Sequence, residues 1–457
     1  MFRTALRIGR LQRFVLTLAV AILVPPSGAT KAAERRDKPN VVILLADDLG
    51  YADVGFQGCK DIPTPHLDAL AKAGVVCTNG YVTCPVCAPT RAGLLTGRYQ
   101  QRLGFEDNSW SPKTGLSPEA TTLADVLKAA GYRTFAVGKW HLGQLPHFRP
   151  LVRGFTDHYG FLGGGRSFLP LKDSQGVPFV PKDPDQVDLW QNENRVGDPD
   201  YLTDAFSAEA AAYIRHHKAD PFFIYLAFNA PHVPLQATEK YLKRFPDLKG
   251  ARRTYAAMVS ALDDAVGRVS DALRAEGLDR DTLIFFLSDN GGHPLANAAR
   301  NEPLRGEKST VYEGGIRVPF VVKWTGRLPA GARYADPVVS LDIMATALAA
   351  AGAKPPKGVA LDGIDLVPYL RGEARTPPHE TLYWRFIDHW AIRHGHWKLT
   401  VPAGQPEGLY DLSADIAESR DVASANPEVV RKLKTLYAQW SKELPPVRST
   451  PRRQSVP

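Results

Sequence analysis

Five short, largely apolar runs leave this chain few folds to choose from: Asn40–Ala46, Arg133–Val137, Phe222–Phe228, Leu283–Leu287 and Val318–Val322. The first does not alternate polar with apolar residues, so the strand it forms must be covered on both faces. Between the runs, segments 64–73, 118–130, 203–217, 254–275 and 340–351 read as helices. Strands alternating with helices predict an α/β fold, with a large mixed, mostly parallel sheet flanked by helices. From Gly352 to Glu380 the chain turns rich in Pro and Gly, which marks a boundary or a long surface connection. Beyond it, Thr381–Phe386, Trp390–Arg393, Lys398–Val401 and Leu409–Asp411 are short and turn-separated, and Pro427–Leu444 is helix-like. That pattern predicts a smaller C-terminal antiparallel sheet with one helix. The expected organisation is an N-terminal α/β domain over 38–352, a C-terminal subdomain over 353–444 and a disordered tail over 445–457.

The first 29 residues have another character. Arg3, Arg7, Arg10 and Arg13 precede the apolar run Phe14–Val24, then Pro25-Pro26 and small residues to Ala29. A basic start, an apolar centre and a small-residue exit make a secretory signal peptide. The 11 residues of that run fall short of the ~20 that a membrane-spanning helix needs. The expectation is therefore export, periplasmic or secreted, with no stable membrane insertion after cleavage. Removal of residues 1–29 lowers the net charge from +8 to +4. The remaining charge is interspersed, with no long Lys/Arg block, which argues against a nucleic-acid partner and suits an anionic substrate. Cys59, Cys77, Cys84 and Cys87 fall in one stretch and show no disulfide framework.

In parallel α/β sheets the chemistry sits beyond the carboxyl ends of the strands. This chain places its polar residues there: Asp47-Asp48 after the first run, Lys139 and His141 after the second, His232 after the third, and Asp289-Asn290 after the fourth. Three carboxylates and one amide are the hard oxygen donors that Ca²⁺ takes. Either pair alone could equally cap a helix or form a turn. In Gly138-Lys139-Trp140-His141 a continued strand would project both cationic side chains to one face. His232 lies in Ala230-Pro231-His232-Val233-Pro234, where the prolines fix the backbone, and Lys308 precedes the Gly-rich turn at Glu313-Gly314-Gly315.

Cys87-Ala88-Pro89-Thr90-Arg91 runs straight into Ala92-Gly93-Leu94-Leu95-Thr96-Gly97-Arg98. A buried cysteine before a helix that opens at Pro89 would explain part of this pattern. The whole of it resembles the signature of the sulfatase family, in its type I, formylglycine-dependent form within the alkaline phosphatase superfamily. The resemblance runs from about Asn40 to the C-terminal sheet and departs from the commonest pattern at Ala88 and Thr90, where serine is frequent.

The resemblance implies a sulfuric ester hydrolase in which a maturation enzyme oxidises Cys87 to formylglycine, whose hydrate attacks sulfate esters. It implies that Asp47, Asp48, Asp289, Asn290 and an oxygen from modified Cys87 hold Ca²⁺. Arg91 would then steady the hydrate, while Lys139, His232 and Lys308 neutralise sulfate oxygens. His232 or Lys308 would assist the leaving alcohol, and His141 would be the base on the second hydroxyl. An exported, mildly basic member of this class suits sulfated oligosaccharides. Glu106, Asp107, Asn108, Arg166, His293, Asn297 and His389 are the residues considered for substrate choice. Two other readings fit the same residues. One is a phosphonate or phosphodiester hydrolase of the same superfamily; the other is a non-catalytic binder of sulfated glycans in which Cys87 stays a thiol.

Overall fold

The computed structural model describes residues 38–108, 115–170 and 188–446, with Met1 and Phe2. The rest of the expected signal peptide and the tail beyond 446 lie outside the described residues. The described residues from Lys38 onward belong to one compact unit. No helix among the described residues is long and apolar enough to cross a membrane.

The strands up to residue 339 are β1 (Asn40–Ala46), β2 (Val75–Cys77), β3 (Gly80–Tyr81), β4 (Arg133–Lys139), β5 (Asp157–Phe161), β6 (Leu189–Gln191), β7 (Asn194–Val196), β8 (Phe222–Ala227), β9 (Thr282–Ser288), β10 (Phe320–Trp324), β11 (Ala332–Tyr334) and β12 (Val338–Val339). Among the described residues, ten of them form one sheet in the order β11-β2-β10-β9-β1-β8-β4-β5-β6-β7, and β3 pairs with β12. The middle five, from β9 to β5, are parallel. Antiparallel partners flank them: β10 against β9 and β2, and β6 against β5 and β7. The sheet is mixed and mostly parallel in its core, as the sequence pattern predicts.

The principal helices of this part are α1 (Pro65–Ala73), α2 (Cys87–Thr96), α3 (Leu123–Ala129), α4 (Leu202–His216), α5 (Gly250–Ala275) and α6 (Asp342–Ala350). They explain why β1 carries no polar alternation. Val42, Leu44 and Ala46 pack into the core formed with α1, α4 and α5, while Val41, Ile43 and Leu45 pack into the core formed with α2, α3 and α6. Every residue of β1 is inaccessible to solvent. Each of its larger side chains contributes about 1.5–3 kcal/mol of burial free energy.

Element boundaries shift from the sequence reading by up to five residues, and two of the shifts have a clear local cause. The helix expected over 118–130 begins only at Leu123, because Thr122 and Asp125 form a reciprocal cap. Thr122 Oγ1 accepts from the Asp125 N–H at 3.2 Å, and the Asp125 carboxylate accepts from the Thr122 N–H at 2.8 Å. The strand expected over Val318–Val322 is instead Phe320–Trp324, since Pro319 has no N–H to give a ladder.

At the C-terminus, β13 (Thr381–Phe386), β14 (His389–His394), β15 (Trp397–Val401) and β16 (Gly408–Asp411) form an antiparallel sheet in that order. Helix α7 (Pro427–Lys442) covers it, with Leu433 packed on Ile392, Leu399 and Leu409. This sheet joins the main body through a dry ionic cluster. Lys398 Nζ lies 2.9 Å from both Glu313 and Glu418, with all three side chains fully buried. The Tyr81 hydroxyl donates to Glu313 at 2.7 Å. Burial would raise the Glu313 carboxyl, but Lys398, Arg317 and Arg393 outweigh it and hold the group below the usual carboxylate range.

Lys398→Met removes the cation that two buried carboxylates share. Breaking a buried pair costs about 3–5 kcal/mol, so a large drop in the urea midpoint is expected. An unchanged midpoint would show that the cluster does not hold the two sheets together.

Candidate active site

The sheet register brings the acidic residues together. β1 and β9 are parallel with Ala46 opposite Ser288, so Asp47 and Asp289 leave neighbouring strands at the same level. The pairing continues past both strands, with the Asp289 N–H donating to Ala46 O and the Asp47 N–H to Ala230 O, each at 3.0 Å. Asp48 adopts a left-handed φ of 61°, which Asp tolerates better than most residues. Its N–H donates to Asp289 Oδ1 at 3.3 Å. Asn290 Nδ2 donates to Asp48 Oδ1 at 2.7 Å. Gly291 must be glycine, because a Cβ there would sit 1.7 Å from the Gly314 carbonyl oxygen.

The cations reach this cluster from three other directions. Arg91, one turn into α2, is fully buried. Its Nε and Nη2 donate to Asp289 Oδ2 at 2.9 and 2.7 Å, and its Nη1 donates to the Lys139 carbonyl at 2.9 Å. Lys139 ends β4 and places Nζ 2.6 Å from Asp47 Oδ2. It follows Gly138, whose φ of 96° and contact with the Ala227 carbonyl exclude a side chain. Lys308 Nζ lies 2.8 Å from the Asp48 carboxylate. His232 Nε2 is 3.5 Å from Asp48 Oδ2, and its Nδ1 is 2.6 Å from the Val233 carbonyl oxygen. That carbonyl requires the proton on Nδ1, which leaves Nε2 of the neutral ring with its lone pair towards Asp48.

Cys87 opens α2 at 1% exposure, with Sγ 3.5 Å from Asp47 Oδ1. One ligand atom each from Asp47, Asp48, Cys87 and His232 lies within 4.8 Å of the others. Asp289 and Asn290 adjoin this group through their hydrogen bonds to Asp48. The expectation that β4 continues, with Lys139 and His141 two apart on one face, is not met. The strand ends at Lys139, and His141 turns the chain with a left-handed φ of 57°.

The charges shape one another. Burial would raise Asp47, but Lys139, Arg91 and Lys308 together hold it well below the usual range. At Asp289, burial and the Asp47 charge push the carboxyl upward against Arg91. Burial, with Asp289 beside it, pushes the Cys87 thiol up to about 12. Low-polarity surroundings, with Lys139 and Arg91 nearby, keep the His141 imidazole well below its ordinary value. It is therefore neutral near pH 7 and able to accept a proton.

Residues considered for substrate choice take varied places. Glu106 is paired with Arg385, and Asn108 Oδ1 accepts from the Ala88 N–H at 3.0 Å. Arg166 is buried and paired with Asp198, one residue after Gly165, which faces the His232 ring. His293 sits 3.4 Å from Glu307, beside Lys308. Asn297 is fully buried and donates to the Asp48 carbonyl at 3.1 Å, so it braces the loop. His389 Nδ1 accepts from Ala403 N within the C-terminal sheet. The sequence reading passed over Ser288 and Tyr255, whose hydroxyls accept from Leu49 N at 3.0 Å and Gly50 N at 3.2 Å. Ser288 could have been found from its place directly before Asp289; nothing local marks Tyr255.

The family model described as Sulfatase matches residues 39–353, and one described as N-sulphoglucosamine sulphohydrolase, C-terminal, matches residues 306–443. N-acetylgalactosamine-6-sulfatase of Mus musculus is 34% identical over 387 residues, 80% of this chain and 72% of that protein. Arylsulfatase A of Homo sapiens is 34% identical over 455 residues, 87% of each. The crystal structure of Ps i-CgsB in complex with k-i-k-neocarrahexaose matches with a TM-score of 0.84 at 37% identity, over 90% of this chain and 94% of that one.

Arg91→Lys keeps the charge but not the two-nitrogen grip on Asp289. The Lys139 carbonyl also loses its buried donor. A loss of about 2–4 kcal/mol in urea unfolding is expected; a shift within error would show that the fork is dispensable.

Proposed function

The chain is a member of the sulfatase family and a sulfuric ester hydrolase, and on that footing we propose that it removes sulfate from sulfated oligosaccharides after export. In this reading Cys87 is converted to formylglycine by a maturation enzyme, and Asp47, Asp48, Asp289 and Asn290 hold Ca²⁺. The observation that carries it is the state of Cys87. Its Sγ lies 3.5 Å from Asp47 Oδ1 and within 4.8 Å of ligand atoms of Asp48 and His232, in a buried cluster of ion pairs where a thiol that stays protonated is a poor nucleophile. Such a position makes chemical sense once the sulfur is replaced by oxygen.

The donor set fits a hard divalent cation. The Asn290 Oδ1 atom is buried and accepts no hydrogen bond, beside the carboxylates of Asp47, Asp48 and Asp289. Those three carboxylates are balanced in charge by Arg91, Lys139 and Lys308. A divalent cation makes the set net positive, which favours an anionic ester. Bound Ca²⁺ supplies Lewis-acid polarisation of the sulfate, and formylglycine supplies the oxygen nucleophile.

The chain's own side chains do the remainder. Lys139 and Lys308 offer ammonium donors to sulfate oxygens, where charge redistributes during transfer. Lys308, whose ammonium lies 2.8 Å from Asp48, carries a proton for the leaving alcohol, and His232, held by the Val233 carbonyl beside the same Asp48, can do so only in its protonated form. Neutral His141 takes the proton whose removal lets the second half of the reaction proceed. Arg91 fixes Asp289 and the end of β4, so the ligands and Lys139 keep their spacing. The hexaose named for the Ps i-CgsB complex supports an oligosaccharide as the substrate class.

The test has two parts. Protein exported by its native host is digested with trypsin, and the peptide ending at Arg91 is weighed. Turnover is then measured on sulfated oligosaccharides and aryl sulfates, with aryl phosphonates alongside. Exchange of H₂S for oxygen at position 87, chelator-sensitive sulfate release and no turnover by Cys87→Ser are expected. Sustained turnover by Cys87→Ser would sink the nucleophile assignment, and preference for the phosphonate would move the substrate class.

A further inference from the structure

Helix α2 begins without the usual cap. Val86 at the N-cap offers no side-chain acceptor, although the first-turn N–H groups of a helix need partners. The Ala88 N–H, directly after Cys87, finds its acceptor 20 residues further on, in Asn108 Oδ1 at 3.0 Å. Asn108 does not reach there unsupported. Two residues earlier, the Glu106 carboxylate receives both Nε and Nη2 of Arg385 at 2.8 and 2.7 Å, and both side chains are largely buried. Arg385 belongs to β13 of the C-terminal sheet, and its carbonyl also accepts from Gln101 Nε2 at 2.8 Å. The segment from Gln101 to Asn108 is therefore anchored on the C-terminal sheet at one end and on the start of α2 at the other.

We propose that Asn108 is the positioning residue for the nucleophile at position 87: it closes the first turn of α2 through the Ala88 N–H, and the Glu106–Arg385 pair holds it in place from the C-terminal sheet. This rests on the role given to Cys87 above. The physical reason is leverage. Position 87 is the first residue of the helix, and a displacement there moves the attacking atom relative to the charged groups fixed at the ends of β1, β4 and β9. A misplacement of about 1 Å can cost a hundredfold in rate. The C-terminal sheet acquires a part in the reaction without contributing a side chain to it.

Asn108→Ala and Asn108→Asp, produced in the native host, separate this role from a plain structural one. For each protein the converted fraction at position 87 is read by peptide mass, and kcat and KM are measured per converted site with 4-nitrophenyl sulfate. Amide exchange of the peptide around Ala88 is followed by mass spectrometry. Asn108→Ala is expected to lower kcat about tenfold or more, to leave KM within about twofold and to speed exchange around Ala88. Asn108→Asp keeps an acceptor at a helix N-terminus, so it should restore kcat and protection. Its new carboxylate should raise KM for the anionic ester severalfold. Wild-type kcat per converted site in Asn108→Ala overturns the proposal, whether or not exchange changes. A wild-type protein converted at position 87 yet inert to sulfate esters would instead overturn the functional reading. Unchanged protection around Ala88 in Asn108→Ala overturns the proposal as well, because the cap it depends on would then be absent.

Discussion

Arg91 and Asp289 form the contact on which most of the site depends. The guanidinium reaches from α2 to the residue after β9 and to the last carbonyl of β4, and one of its nitrogens lies 3.7 Å from Asp47 after β1. One side chain thus ties a helix to three strand ends. None of these charges could be buried alone, because an unpaired ion in such surroundings costs several kcal/mol. The carboxylates are tolerated because Arg91, Lys139 and Lys308 are there, and the cations because the carboxylates are. The groups that would do chemistry are thus also those that allow the strand ends to close over one another.

The C-terminal sheet follows the same rule at a second place. Lys398 shares its charge between Glu313 and Glu418, while Arg385 takes Glu106. Both junctions are ionic rather than purely apolar, and both bring the sheet to segments that lead directly into the site. Glu313 opens the turn five residues after Lys308, and Glu106 lies two residues before Asn108.

Much of this was legible in the sequence because the strongest signals are local. Unbroken apolar runs announced the doubly covered strands, and the polar residues directly after them marked the working edge of the sheet. The Cys87–Arg91 signature pointed to a family before any geometry was known. What the sequence hid is long-range. Nothing near Asn108 says that its amide will cap a helix 20 residues earlier, and nothing near Tyr255 says that it will support Gly50. Whether β4 continues to His141 is not decided by the residues alone, because a left-handed turn at a single histidine is only a weak preference of residue type. The helix before β4 began later than its apolar spacing suggested, since the Thr122–Asp125 cap outranks periodicity. His232 was expected among the sulfate contacts, and its nearness to Asp48 depends on how the loop after β8 folds back.

The level match between Ala46 and Ser288 bears on how this protein can change over time. Side chains on a strand alternate between faces, so a slip of one residue between β1 and β9 would exchange the side chains of β1 between the two cores it separates. It would also separate Asp47 from Asp289. An insertion or deletion in either strand that shifted this register would therefore take the two acidic pairs apart. The loops beyond the strand ends are free of this register constraint, so a change of length there leaves the spacing of Asp47 and Asp289 set by the two strands.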